Sequence, residues 1–215
     1  HDILKEMSDN STADLSQFSD EIGDLIKEGQ SLKSDGKLWD ALDKYESAIK
    51  KDSGCKEIVV PLINEIKDIL LRQFLFFDIS QKENFGKSEL DQLKIRILKA
   101  IMIDENPTMA LIITNQALDI DDDDLDVLNY QGALLFYFDE NEKAIECFDK
   151  CLSINEDYIF ALFNKGMILR RMWKLPEALD VFDELLKIPN AYDKVKPYQR
   201  EILDKLEDFM GVKLY

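Results

Sequence analysis

The sequence predicts an all-α chain of antiparallel helix pairs, on three observations: alanine-led segments recur at a fixed period, glycines recur one helix ahead of them, and apolar positions keep a three-four spacing. Ala110-Leu-Ile-Ile-Thr-Asn-Gln-Ala117, Ala144-Ile-Glu-Cys-Phe-Asp-Lys-Cys151 and Ala178-Leu-Asp-Val-Phe-Asp-Glu-Leu185 align, with leading alanines 34 residues apart. Ala41-Leu-Asp-Lys-Tyr-Glu-Ser-Ala48 begins 69 residues before Ala110, twice the period plus one. Gly29, Gly132 and Gly166 each stand twelve residues ahead of Ala41, Ala144 and Ala178. Small residues and an aromatic at helical spacing, with a glycine one helix earlier, describe two helices pressed close together.

These residues resemble the tetratricopeptide repeat, whose period is about 34. With the alanine as position 20, units run at about 22–55, 91–124, 125–158 and 159–192. The family's position 8 is then Gly29, Leu98, Gly132 and Gly166, position 11 is Leu32, Ile101, Leu135 and Leu169, and position 24 is Tyr45, Thr114, Phe148 and Phe182. The second unit departs most, with Leu98 for glycine and Thr114 for an aromatic. The position-32 proline is replaced throughout, by Ser53, Asp122, Glu156 and Asn190. The resemblance implies a right-handed superhelix, or α-solenoid, of helical hairpins.

Along the chain, residues 1–11 are expected to fray, and 12–215 to form a single domain. Ser11-Thr-Ala-Asp14 has the form of a capping box before Leu15, Phe18, Ile22 and Leu25. The insertion 56–90 does not read as a repeat, because Leu75 or Phe76 would occupy the small-residue position. Val59, Leu62, Ile63, Ile66, Leu70, Phe74 and Phe77 instead keep helical spacing across it, which predicts one long helix over about 57–77. A polar loop from Gln81 to Gly86 leads to a helix starting near Ser88. After the last unit, Val195, Tyr198, Ile202, Leu206 and Phe209 form one stripe, with Pro197 in the first turn. This predicts a capping helix at 194–211, of the kind that covers the last open face of a solenoid.

Composition narrows the function. The 215 residues are 46% apolar and 33% charged, with only 8 glycines and 5 prolines, so the chain is neither disordered nor linker-rich. Its net charge of −17 disfavours nucleic acid and anionic membranes as partners. The longest apolar run, Ala133 to Phe138, is far too short to span a bilayer. The single histidine, His1, removes histidine-based triads and imidazole zinc sites from consideration. Three cysteines suggest reduced thiols and a cytoplasmic location.

Four motifs have structural explanations. Gly86-Lys87-Ser88 echoes a phosphate loop, but Gln81 stands where that motif needs glycine, and a turn with an N-cap serine suffices. Asp119-Ile-Asp-Asp-Asp-Asp124 lacks the turn glycine and the glutamate of a calcium loop, and it lies where the next helix needs an N-cap. Cys147 and Cys151 lack further zinc ligands and read as buried thiols. Asn10-Ser-Thr12 fits a glycosylation sequon, which matters only in a secreted chain. No catalytic constellation, cofactor site or metal site is expected.

The resemblance implies that positions 2, 5, 6, 9, 12 and 13 of each first helix line a concave surface. The first unit contributes Gly23, Ile26, Lys27, Gln30, Lys33 and Ser34, and the second Gln92, Ile95, Arg96, Lys99, Met102 and Ile103. The third contributes Asp126, Asn129, Tyr130, Ala133, Phe136 and Tyr137, and the fourth Phe160, Phe163, Asn164, Met167, Arg170 and Arg171. Six positive charges against one negative, with five aromatics, suit a peptide of acidic residues around an apolar anchor. Arg170 and Arg171 are placed to hold a carboxylate or phosphate. Some family members grip chaperone C-termini with lysine and asparagine at set positions; Ile26, Gln30, Asp126 and Tyr130 stand in the way of that pattern. The expected function is a non-enzymatic protein-interaction module. Three alternatives stay open: the groove filled by the protein's own helix 57–77 or its C-terminal helix, self-association as a homodimer through Trp39 and Trp173, and sensing of a small anion.

Overall fold

Nine α-helices and one short 3-10 turn, with no strand, make up the described residues 15–79, 88–189, 199–200 and 203–204 of the computed structural model. Two compact units divide the chain, His1–Lys67 and Asp68–Tyr215, and their boundary falls inside one helix. The first unit holds α1 (Asp20–Ser34), α2 (Leu38–Lys51), the turn Ser53–Cys55 and the start of α3 (Lys56–Ile79). The second holds the rest of α3 and three further pairs. These are α4 (Glu89–Met102) with α5 (Pro107–Leu118), α6 (Leu125–Tyr137) with α7 (Asn141–Ile154), and α8 (Ile159–Arg171) with α9 (Leu175–Lys187). The expected long helix is α3, a residue or two longer at each end.

Each pair is closed by the periodic small and aromatic residues. A Cβ built on Gly29 would lie 2.5 Å from the Tyr45 ring, one on Gly132 2.6 Å from Phe148, and one on Gly166 2.8 Å from Phe182. Real Cβ atoms do not tolerate such distances, so each ring occupies the space that glycine vacates. The α4/α5 pair reverses the sizes, with Leu98 at the glycine position and the smaller Thr114 at the aromatic one, both buried. Ala41, Ala110, Ala144 and Ala178 are fully buried at the crossing. In the first unit Ile22, Ile26 and Leu42 join this core, and Val59, Ile63 and Ile66 of α3 are buried too. Lys33 is ion-paired with Glu65 of α3.

The turn within each pair repeats with the same period. Gly36, Glu105, Asp139 and Trp173, all at position 15, have φ of 77°, 48°, 64° and 58°. In three pairs the hydrogen bonds are those of a Schellman motif. The position-15 amide donates to the position-12 carbonyl, as from Trp173 to Arg170 at 3.1 Å, and the next amide donates to position 11, as from Lys174 to Leu169 at 3.0 Å. The left-handed residue is therefore held by two bonds that any side chain there must accept. Only Gly36 is free of steric cost in it.

The caps agree with the sequence reading where they are described. Ser88 accepts from the Asp91 amide and Asp91 reaches back to the Ser88 amide, a complete capping box for α4. Asp124 caps α6 by accepting from Val127. Of the expected C-terminal cap at 194–211, residues 199–200 and 203–204 are helical, and Gln199 donates to Asp183 on α9. The rest of the expected helix 194–211, the expected loop 81–86, the segment 1–11 expected to fray and the expected box at Ser11–Asp14 lie outside the described residues.

Candidate protein-interaction surface

In the second unit, α4, α6 and α8 lie side by side as the first helices of their pairs, and polar contacts tie each to the next. Lys94 Nζ sits 2.6 Å from Asp124 and 2.9 Å from Asp126, linking α4 to the start of α6. Burial alone would lower the Lys94 ammonium; the hydrogen bonds it donates to Asp124 and Asp126 and their charges outweigh it and hold it above the usual lysine value. Tyr158 adds a 3.4 Å bond to Asp126. Between α6 and α8, Asn164 Nδ2 donates to Asn129 Oδ1 at 2.9 Å, with both side chains buried. The Asn129 Nδ2 has no hydrogen-bond partner among the described residues.

The concave-face residues expected from sequence divide by exposure. On α4, Arg96 and Lys99 are exposed, and Ile95 beside them is 38% exposed. Gln92 and Ile103 continue this open stripe at the two ends of the helix. On α6, Asn129 and Tyr130 are buried and Tyr137 is half-buried. On α8, Asn164, Met167 and Arg170 are buried, Arg170 to 3% exposure, while Phe160, Phe163 and Arg171 are half-buried. Lys27 is exposed on α1, in the first unit.

The half-buried aromatics are held by neighbouring rings and charges. Phe163 meets Phe182 edge-on at 6.4 Å, Phe160 meets Tyr158 at 5.4 Å, and Tyr137 meets Phe138 at 5.2 Å. The Arg171 guanidinium lies 5.4 Å from the Phe136 ring centroid and 3.8 Å from Asp139, so its charge is already engaged within the fold. The end of α3 belongs to this unit and touches the same region. Tyr137 donates to Asp68, and burial with that carboxylate raises its hydroxyl. Arg72 pairs with Glu105 at 2.6 Å, in the turn between α4 and α5.

Two findings correct or extend the sequence reading. Trp39 is 8% exposed, packed where α2 begins, so it offers no surface for self-association; Trp173 does, at 66%. The Lys94 link was not foreseen. Its signal was a lysine at position 4, where the other units carry Leu25, Leu128 and Leu162.

No family model matches the chain. The human mitochondrial import receptor subunit TOM70 is 23% identical over 221 residues, covering 89% of this chain and 36% of its own. A TPR repeat-containing protein of Methanocaldococcus jannaschii is 23% identical over 209 residues, covering 89% of this chain and 34% of its own. The chain thus spans about a third of the length of these relatives. Among solved structures, the Sgt2 TPR domain of Aspergillus fumigatus matches with TM-score 0.52 and 20% identity, over 59% of this chain and 84% of that one. The TPR2AB domain of yeast Sti1, solved as a complex with pHSP90, matches with TM-score 0.50 and 9% identity, over 84% and 69%. Among the described residues, no helix is long and apolar enough to cross a membrane. The 34-residue period, the glycine–aromatic helix crossings and these similarities converge on one fold, that of the tetratricopeptide-repeat solenoids.

Proposed function

We propose that the chain is a non-enzymatic protein-interaction module that binds an acidic, apolar peptide along α4, α6 and α8. The observation that carries this is the exposed stripe of α4. Arg96 and Lys99 flank Ile95 on the only first helix of the second unit whose selected residues stay open, in a chain of net charge −17. Carboxylates of a ligand would meet Arg96 and Lys99, and an apolar anchor would cover Ile95. Further along, the buried Asn129 Nδ2 donor, without a hydrogen-bond partner among the described residues, suits a ligand carbonyl. A ligand reaches it only if the chain covering α6 and α8 gives way; Asp68 on Tyr137 is one contact it must break. The relatives named as an import receptor subunit and as a domain complexed with pHSP90 favour protein binding over catalysis.

The test is a fluorescence-anisotropy titration with a labelled amphipathic peptide of glutamate and leucine, beside its lysine-for-glutamate counterpart. Wild type should bind the glutamate form, and Arg96→Glu with Lys99→Glu should weaken it at least tenfold with unchanged circular dichroism. Equal binding by wild type and variant would overturn the assignment.

A further inference from the structure

We infer that the outer face of α5 is a second docking surface, for an amphipathic helix of another protein whose apolar stripe is flanked by basic residues. It lies on a different helix from the α4 stripe and carries the opposite charge preference. The other second helices of this unit carry charge where they face solvent. Aligned by the 34-residue period, Met109, Ile112 and Gln116 stand where α7 has Lys143, Glu146 and Lys150 and where α9 has Glu177, Asp180 and Glu184. The 12 residues of α5 hold no charge, in a chain that is 33% charged. Met109 is 45% exposed and Ile112 49%. Helical spacing carries the stripe through the exposed Gln116 to Ile120, 48% exposed in the turn that follows. Beside it Asn115 accepts from Gln131 at 2.8 Å, so the polar group at that edge is neutral and satisfied. Isolated exposed apolar residues need no explanation; three along one stripe, on a helix without charge, mark a face that meets apolar surface.

Charge at the two ends of the stripe selects the occupant. Asp104 is exposed ahead of α5, and Asp119 and Asp121 are exposed past its last turn. None of the three is in an ion pair among the described residues, whereas Glu105 is engaged by Arg72, and Asp122 and Asp123 by Lys150. The C-terminus of α5 adds its own partial negative charge beside Asp119 and Asp121. No base in its last turn offsets this, while α2 has Lys50 and Lys51 and α9 has Lys187. A helix with bases at both ends therefore meets carboxylates at both ends of the stripe, with apolar side chains between. A second copy of the chain would set these acidic ends against its own, at a net charge of −17 each.

The probe is a labelled helical peptide of leucine, alanine and glutamine with lysines at both ends, beside a counterpart with glutamates at its ends. Anisotropy with the full chain should show saturable binding of the lysine form alone; no binding by wild type overturns the proposal. Met109→Lys with Ile112→Glu places on α5 the residues that α7 carries at the equivalent positions. It should weaken binding at least tenfold with unchanged circular dichroism. Asp119→Asn with Asp121→Asn keeps the side-chain shapes and should weaken binding severalfold while lessening its dependence on salt. Wild-type binding strength in the well-folded Met109→Lys, Ile112→Glu variant contradicts the assignment. So does an equal loss from Glu177→Gln with Asp180→Asn on α9, which would show general charge attraction. Light scattering should show no dimer formed through this face; a concentration-dependent dimer that Met109→Lys with Ile112→Glu dissolves would make a second copy the occupant instead. Arg96 and Lys99 repel the lysine peptide, so none of these results depends on binding at α4.

Discussion

Within the second unit, the α4/α5 and α6/α7 pairs share a period and a left-handed residue at position 15, yet they solve two problems in opposite ways. At the helix crossing, α6/α7 sets Gly132 against Phe148, while α4/α5 carries Leu98 and Thr114 at those positions, both buried. At the first-helix face, α6 buries Asn129 and Tyr130, while α4 leaves Ile95, Arg96 and Lys99 open. The first difference reverses which helix supplies the larger side chain. The second shows that equivalent positions become core or surface according to what lies over them.

The comparison can be broken most severely at the crossing. Leu98→Gly alone leaves a cavity and should cost about 4 kcal/mol. Adding Thr114→Phe rebuilds the arrangement of the other pairs, and at least half of that loss should return in urea unfolding. If the double variant is no better than the single one, the reversal is not an exchange of size between the two helices. Next in size is the Lys94 link, which only α4 makes. Lys94→Met leaves Asp124 and Asp126 facing each other, mostly buried, and should cost about 2 kcal/mol. High salt should soften the loss by screening the two carboxylates. Asn164→Ala removes the α6–α8 bond and should cost about 1 kcal/mol, read by the same unfolding curves. An unchanged midpoint would show that the bond adds nothing.

The smallest effect is in pH. Burial, foremost, pushes the Cys147 thiol to about 11 and the Cys151 thiol to about 12, from an ordinary 9.0. Both pKa values are raised by folding, so the unfolded chain releases these protons first. Their contribution is full below pH 9 and is lost as the pH rises toward 11 and 12. Cys151→Ala should flatten part of that decline. At neutral pH both thiols should react slowly with iodoacetamide, faster only on unfolding.

Much of the fold was legible because the relevant contacts repeat. Gly132 and Phe148 lie 16 residues apart, as do Gly166 and Phe182, so a local spacing rule carries a tertiary contact. The long α3 was legible for the same reason, since Val59, Ile63, Ile66 and Leu70 keep one helical face. The binding face was legible only as positions. Whether Tyr130 or Met167 meets water depends on segments distant in sequence, and no periodicity encodes that. Lys94 shows the same limit: its partners Asp124 and Asp126 lie about 30 residues away and read locally as cap and loop. Trp173 was placed at an inter-helix turn, but its left-handed conformation follows only from aligning it with Gly36.

The most direct measurement on the α4 stripe is a photo-crosslinking map. A glutamate–leucine peptide carrying one benzophenone would be irradiated with the full chain, and the adducts located by mass spectrometry. The crosslinks should concentrate on Gln92, Ile95, Arg96 and Lys99, and they should disappear with Arg96→Glu and Lys99→Glu. Crosslinks confined to α5 and α7, or unchanged by those substitutions, would contradict the assignment of the binding face.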